Sequence, residues 1–440
     1  MSERAPILVS DPAEVGSVFI SNYPPYSAWT PEAVPNAIAA LDAPPRPGTP
    51  LGLYLHIPFC RVRCKFCYFK VYTEKDSSQV RRYLAGLEKE VRLFSERPAI
   101  AGRPLKFVYF GGGTPSFLGT RDLKSLAQRL RSILPWDGAD EITFECEPGT
   151  LTRAKLEAIR GIGVTRLSLG VESFDDGVLK ENGRAHLSAE IHRAIPWIQS
   201  VRFDQLNIDL IAGMVGETWD SWRRSVSATV AIAPESVTIY QMELPYNTVY
   251  SERQLGGGDA VSVAPWTQRR DWHQFAIETL EAAGYEVSSA YTMVRKDSKC
   301  TFVYRDAVWH GCDMIGTGVA SFSHISGAHF QNAAEWGAYL ALLDQGRLPI
   351  DRAYLTGPAD RLIRELILQL KMGRVETAYF REKFGVDILS HFGDVLEALG
   401  DQGMLRLGAG AVVLTREGLL RADALLPSFY APEYIHARYT

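Results

Sequence analysis

The chain has 440 residues, enough for two or three domains at ~150 residues each. Its 46% hydrophobic and 22% charged residues are those of a globular protein able to bury a large core. A net charge of −4 excludes an electrostatic case for nucleic acid or an anionic membrane surface as the main partner.

No apolar run reaches the roughly 18 residues of a membrane span, so no transmembrane helix is expected. The opening stretch MSERAPILVSDPAEVGSVFI lacks a basic region leading into an apolar one, so the expectation is a cytoplasmic protein without a secretory signal. Six cysteines are too sparse for a disulfide scaffold, and clustered cysteines in a reducing compartment read first as metal ligands.

Residues 1–50 are rich in proline and poor in periodicity, which predicts an irregular N-terminal extension and a linker. From 51 the pattern changes. Apolar runs rich in β-branched and aromatic residues predict strands at 51–57, 107–110, 141–146, 166–171, 205–211 and 236–243. Between them, i, i+3, i+4 spacing predicts helices near 77–95, 121–133, 151–161, 188–199 and 217–231. This alternation implies an α/β fold with a parallel sheet and covering helices, and six strands favour a partial (β/α)6 barrel over a closed one. Ligands in such folds sit at the carboxyl ends of the strands.

Residues 246–354 read as a substrate-side extension of the 51–245 barrel. They hold a helix at 266–283, a strand near 285–294 and a Gly- and His-rich stretch at 309–332. From 355 to 440 a further module is expected: helices at 358–371, 376–383 and 389–401, a hairpin over 404–415 turning at Gly408–Gly410, and a helix from Arg416. Helices followed by a two-stranded wing suggest a winged-helix-like domain, here without a basic recognition face.

Cys60, Cys64 and Cys67 form a CxxxCxxC loop directly after the first predicted strand. Four thiolates usually fix a four-iron cluster; three leave one iron open, as a catalytic zinc keeps one position for substrate. Structural zinc is the competing reading of three cysteines on a loop. Cys146, Cys300 and Cys312 are scattered, as small buried apolar residues would be.

The run Tyr54-Leu-His-Ile-Pro-Phe-Cys60, the cysteine loop, Phe110-Gly-Gly-Gly-Thr-Pro115, Phe144-Glu-Cys-Glu-Pro148, Leu167 to Phe174, Arg184 and Asn207 to Gly213 resemble the radical S-adenosylmethionine (SAM) family of oxygen-independent coproporphyrinogen III oxidases. That family includes heme-chaperone and C-methyltransferase or cyclopropane-forming branches. The resemblance covers roughly residues 50–425. It implies a radical SAM barrel in which a [4Fe-4S] cluster on Cys60, Cys64 and Cys67 reductively cleaves SAM to a 5′-deoxyadenosyl radical. It implies a small-molecule substrate, an electron donor such as flavodoxin or ferredoxin, and a monomer.

The resemblance also assigns SAM contacts. Gly112, Gly113 and Thr114 end the second strand, where consecutive glycines let backbone approach a ligand; a tight strand-to-helix turn is the plainer reading. Glu145 and Glu147 flank Cys146, and alternation sends both to one face. Glu145 is the favoured SAM contact, against a salt-bridged strand end. Glu172, Arg184 and Asp209 are implied by the resemblance in nucleotide binding, to a second SAM beside the first; many relatives carry Gln at the position of Glu172. Asp209 is the most informative, because a charge on a buried parallel strand is costly unless paired or bound. Tyr54 and Phe66 read as cofactor or core aromatics, and Met242 and Phe322 as weaker cofactor contacts. His310, His324 and His329 match no standard ligand spacing, and read better as substrate or proton-transfer groups than as a second metal site.

The coproporphyrinogen oxidases proper commonly carry a further cysteine two residues beyond the cluster; this chain has Tyr68-Phe69-Lys70 after Cys67. The departure argues against assigning heme synthesis from the family name; the leading expectation is a second SAM that serves as methyl or methylene source or as a further radical precursor. Porphyrinogen decarboxylation and heme binding without turnover are the alternatives.

Overall fold

The computed structural model describes residues 15–437 apart from 18, 258–260, 409 and 436. Six strands lie side by side in chain order, all parallel: β1 (Leu51–Ile57), β2 (Leu105–Gly112), β3 (Glu141–Cys146), β4 (Arg166–Glu172), β5 (Gln205–Ala212) and β6 (Ser236–Gln241). Helices Ser77–Ser95, Thr120–Ile133, Arg153–Gly161, Ser188–Val201 and Trp219–Ile232 follow the first five strands. Several helix starts are written in the sequence. Asp76 accepts from the amides of Ser78 and Gln79 while Gln79 returns a bond to Asp76, and Thr152 and Thr218 cap the amides of Lys155 and Ser221.

The barrel strands are two-faced. One phase of each strand (Leu53, Val108, Ile142, Leu167, Ile208, Val237) is buried in the apolar core. The other phase (Thr143, Glu145, Arg166, Ser168, Asn207, Asp209, Ser236, Thr238) is polar, and these residues are bonded to one another or coupled by charge across the barrel interior. A parallel strand buried on both sides would be apolar on both phases. A polar interior marks this barrel as a container.

The sheet continues past both predicted edges. β7 (Tyr285–Val287) and β8 (Thr292–Arg295) form a hairpin on β6, so the expected strand at 285–294 is broken by a turn at Ser288–Tyr291. At the other edge β9 (Asp313–Thr317) pairs parallel with β1, followed by antiparallel β10 (Phe322–Ile325), β11 (Ala328–Asn332) and β12 (Ile350–Leu355). The Gly- and His-rich stretch therefore holds three strands. Its small residues serve the crowding there: a Cβ at Gly316 would lie 2.0 Å from the Phe322 carbonyl oxygen.

A short helix, Val303–Trp309, closes the barrel at the start of the strands. Tyr304 stacks near Tyr109 at 4.4 Å, Phe302 lies 4.0 Å beneath the Arg166 guanidinium, and the Val303 amide donates to Glu141. The C-terminal part packs helices Pro358–Leu370, Thr377–Phe384 and Gly393–Asp401 with a three-stranded sheet of β13 (Arg374–Glu376), β14 (Leu405–Gly408) and β15 (Ala411–Leu414). The expected hairpin is present, with residue 409 outside the described residues. The expected helix at 389–401 is divided at Phe392.

The proline-rich arm is more ordered than its composition suggests. It contains a helix, Val34–Asp42, and lies along both halves of the molecule: the Gly16 amide donates to Leu244, the Ile20 amide to Asp423, and Thr30 bridges Ala353 of β12. No described helix is long and apolar enough to cross a membrane.

Candidate active site

The loop after β1 carries the three cysteines, and short backbone bonds shape it. Phe59 bridges Tyr72, the Cys60 amide donates to Tyr72, the Cys67 amide donates to Cys64 at 3.1 Å, and the Lys65 amide donates to Asn182. Burial pushes the Cys60 thiol up to about 11 and the Cys67 thiol up to about 12, with Cys64 adding repulsion to both. As free thiols these groups stay protonated at neutral pH; a bound metal group that supplies positive charge holds them as thiolates.

Two sulfurs already have donors: Thr114 Oγ1 lies 3.4 Å from Cys60 Sγ, and Arg184 Nη1 lies 3.3 Å from Cys64 Sγ. Hydrogen bonds to sulfur are among the features that set a cluster's potential. Among the described residues no three His, Cys, Asp or Glu side chains converge on one ion, which is the arrangement a zinc site requires. Thiolates that bind separate irons of a cluster need no such convergence, so the three thiols of this loop are compatible with a four-iron cluster.

The glycine turn lies against this loop. The amides of Gly113 and Thr114 donate to the carbonyls of Ile57 and Phe59 at 2.9 Å. Gly112 sits at φ +111°, and a Cβ there would fall 2.3 Å from His56 Nδ1; one on Gly113 would fall 2.9 Å from the Ile57 carbonyl and 3.1 Å from Cys60 Sγ. Both positions require glycine.

Beyond the turn, the ends of β3, β4 and β5 bring three half-buried carboxylates together. Glu145 accepts from Tyr109 Oη at 2.8 Å and the Gly112 amide at 3.1 Å. Asp209 accepts from Ser168 and Asn207 at 2.9 and 2.8 Å, and Asn207 is fixed in turn by Ser236 and Thr238. Glu172 follows a bulge in β4 at φ +64°, a left-handed conformation rare for a side-chain-bearing residue. That turn places its carboxylate 3.5 Å from Arg184.

Burial pushes the carboxyls of Glu145 and Glu172 up to about 7, and Asp209 upward as well; Asp209 adds repulsion to both glutamates. Three anions lining one space, with too little positive charge between them, form a receptor for a cation. Arg184 joins this ring to the cysteine loop. It donates to Cys64 Sγ and to the Gly170 carbonyl and faces Glu172.

Not every residue expected at the site faces it. Glu147 does not share the face of Glu145: β3 ends at Cys146, and the Glu147 carboxylate is held by Arg61, His186 and the Gly149 amide. Despite burial, His186 and Arg61 draw its carboxyl down to about 2. Arg61 thereby pins the cysteine loop to the end of β3. Phe66 packs with Met242, Leu244 and Tyr250 in a small apolar cluster beside the loop, and Tyr54 stacks on Tyr109 at 5.7 Å. Phe322 is covered by Tyr26 of the N-terminal arm at 4.0 Å. His310 Nδ1 donates to the Asp306 carbonyl, apart from the facing pair His324 and His329.

Sequence reading missed Tyr109, although it lies two residues before Gly111 on the same strand face. It also missed Lys371, which is fully buried 3.5 Å over the Phe19 ring and bonded to Asp423 and the Ile20 carbonyl. No sequence pattern links those four residues.

Comparison with known proteins agrees with this architecture. Residues 54–228 match the radical SAM superfamily and residues 357–421 match the HemN C-terminal domain. The chain is 29% identical to the oxygen-independent coproporphyrinogen III oxidase of Pseudomonas aeruginosa, over 89% of this chain and 88% of that protein. It is 28% identical to the heme chaperone HemW of Bacillus subtilis, over 86% and 98% respectively. Among solved structures, coproporphyrinogen III oxidase (HemN) from Escherichia coli superposes with a TM-score of 0.79 at 23% identity, covering 93% of this chain and 96% of that one.

Proposed function

We propose, from the premise that this chain belongs to the radical SAM superfamily and carries a HemN-type C-terminal domain, that it is an enzyme that reductively cleaves SAM and uses a second SAM for methyl or methylene transfer to a small molecule. The family's cofactors are a [4Fe-4S] cluster and SAM. When bound, the cluster supplies an open iron and one electron to the sulfonium, giving the 5′-deoxyadenosyl radical.

The single observation that carries the reading is Arg184, which contacts both Cys64 Sγ and the carboxylate of Glu172. It ties the thiol loop to the cation receptor, so a ligand held by one lies against the other. In this reading Cys60, Cys64 and Cys67 hold the cluster. Glu145, anchored by Tyr109 and the Gly112 amide, accepts the amino group of SAM, while Gly112 and Gly113 keep backbone rather than side chain against its methionine portion. Glu172, Arg184 and Asp209 hold nucleotide.

A second cationic ligand is favoured on the β6 side. Glu243 follows that strand with a buried oxygen, Oε2, that has no hydrogen-bond partner, and burial pushes its carboxyl up to about 8. Phe66 and Met242 wall that side. Exposed Val62, Tyr68 and Phe69 give an electron donor such as flavodoxin or ferredoxin an approach to the cysteine loop. The helix Val303–Trp309 excludes water from the opposite end of the barrel.

Decarboxylation of a porphyrinogen is the second reading, favoured by the name of the Pseudomonas relative and opposed by Tyr68-Phe69 where those oxidases carry a further cysteine. Anaerobic reconstitution followed by product analysis separates the possibilities. The proposal expects 5′-deoxyadenosine together with S-adenosylhomocysteine. Stoichiometric heme binding with neither product refutes it.

A further inference from the structure

At the floor of the barrel, Arg166 opens β4 on the inward phase and is 1% exposed. Its neighbours in register are Thr143 of β3 and Gln205 of β5. The carboxylates of the receptor stand above it on the same two strands: Glu145 two residues beyond Thr143, and Asp209 four beyond Gln205. The Phe302 ring covers the guanidinium from the floor side at 4.0 Å. A cation resting on an aromatic face is stabilised there but keeps its whole charge.

Arg166 Nε and Nη1 are buried and have no hydrogen-bond partner among the described residues. The acids of the barrel interior are engaged by neutral donors instead. Glu141 accepts from the Thr143 hydroxyl and from the amides of Val303 and Tyr304, and Asp209 accepts from Ser168 and Asn207. Arg184, by contrast, is committed to Glu172 and to Cys64 Sγ. A buried charge is expensive unless its surroundings compensate it. For Arg166 the compensation is a field shared with several acids, and between buried groups salt screens such a field little.

The field acts back on those acids. Burial raises the carboxyls of Asp209, Glu141 and Glu145, and the Arg166 charge opposes the rise in all three. Glu172, raised to about 7 by burial, faces Arg184. The remaining groups that face the ring are neutral: burial pushes the hydroxyls of Tyr54, Tyr109, Tyr240 and Tyr304 upward. On the floor side, burial likewise raises the thiol of Cys300, which donates to Gln205 Oε1. Arg166 is thus the charge beneath the ring that no direct bond takes up.

We propose, on the reading that the carboxylate ring receives SAM, that Arg166 is a positioning residue for that ring: its charge, set on Phe302 at the barrel floor, keeps Glu145 and Asp209 anionic for the cationic ligand. A packing role and a charge role differ in sign across pH. Without the floor charge the acids keep their protons to higher pH, so SAM binds more weakly on the acid side. Once the acids are ionised, the same loss removes a repulsion, and SAM binds as tightly as before or more tightly. A packing defect weakens binding at every pH.

Calorimetric titration of SAM into the anaerobically reconstituted full-length protein, from about pH 6 to about pH 9, tests this in the parent, Arg166→Met and Arg166→Lys. In Arg166→Met the acid limb of SAM affinity should move up by about one pH unit, and its curve should cross the parent's near neutrality. Arg166→Lys keeps the charge without the guanidinium fork, and should keep the parent's limb. Infrared spectra of the ligand-free proteins at neutral pH make the comparison without SAM: Arg166→Met should show more protonated carboxyl than the parent, and Arg166→Lys no more. An Arg166→Met curve lowered equally at every pH, or carboxyl bands that match the parent's, overturns the proposal. So does an Arg166→Lys limb displaced from the parent's, a result that does not depend on Arg166→Met folding. A parent that binds no SAM at any pH overturns the SAM reading itself, and the infrared comparison alone then tests the hold of Arg166 on the acids.

Discussion

Replacing Glu145 with Gln separates binding from stability in opposite directions. Burial raises the Glu145 carboxyl from 4.5 to about 7, aided by the nearby Asp209 charge. The folded protein therefore holds a proton between pH 4.5 and about 7 that the unfolded chain has released, and stability falls as pH rises through that window and is flat above it. Each unit is worth about 1.4 kcal/mol, so ionised Glu145 costs the ligand-free fold on the order of 3–4 kcal/mol at pH 8. The amide of Gln keeps an oxygen for the Gly112 amide and turns its NH2 to donate to the Tyr109 hydroxyl oxygen, without the charge. Glu145→Gln should raise the Tm of the ligand-free protein at pH 8, leave it unchanged near pH 4.5, and weaken SAM binding by tenfold or more. Thermal scans across pH and calorimetric titration with SAM measure both. A variant less stable than the parent at pH 8, or one that binds SAM undiminished, would refute the idea of a strained carboxylate kept for a cation.

Other residues give independent checks. Gly112→Ala places a Cβ against the His56 ring at positive φ, and should cost about 2–4 kcal/mol, seen as a lowered urea midpoint. Arg184→Lys cannot span Cys64, Gly170 and Glu172 at once; it should keep the fold, weaken SAM binding and shift the reduction potential of the reconstituted cluster. Lys371→Met strands Asp423 beside Tyr291 and should destabilise by about 3–5 kcal/mol, while adding Asp423→Asn should recover most of the loss in denaturant unfolding. The Arg61–Glu147–His186 contact has a depressed carboxyl, so its stabilisation is complete above about pH 4.5 and lost as pH falls toward 2; Glu147→Gln should flatten that part of the acid-unfolding curve.

How much of this was legible in the sequence depended on whether a feature was local. The six barrel strands and their helices follow from periodicity and caps within a few residues of each element. The cysteine loop and the glycine turn are contiguous motifs, and the opposite phase of each strand marked Glu145 and Asp209. The split at Ser288–Tyr291 and the helix Val34–Asp42 were not legible, because short elements are held by distant partners: β8 needs β6, and that helix packs on β11 and β12. Glu147 deceived alternation because the strand ends one residue before it. Lys371, Asp423, Phe19 and Tyr291 meet across more than 400 residues of chain, and no window of sequence contains that encounter.

The central claim is that three cysteines hold a cluster with one iron left for SAM, beside a ring of carboxylates that receives it. Electron paramagnetic resonance of the reconstituted, reduced protein before and after addition of SAM tests it most directly. The account predicts a [4Fe-4S]+ signal that changes on SAM addition, that is lost when Cys60, Cys64 and Cys67 are replaced by Ala, and that responds only weakly in Glu145→Gln. A reduced cluster whose signal ignores SAM, or a protein that takes up zinc in place of iron under the same conditions, would contradict it.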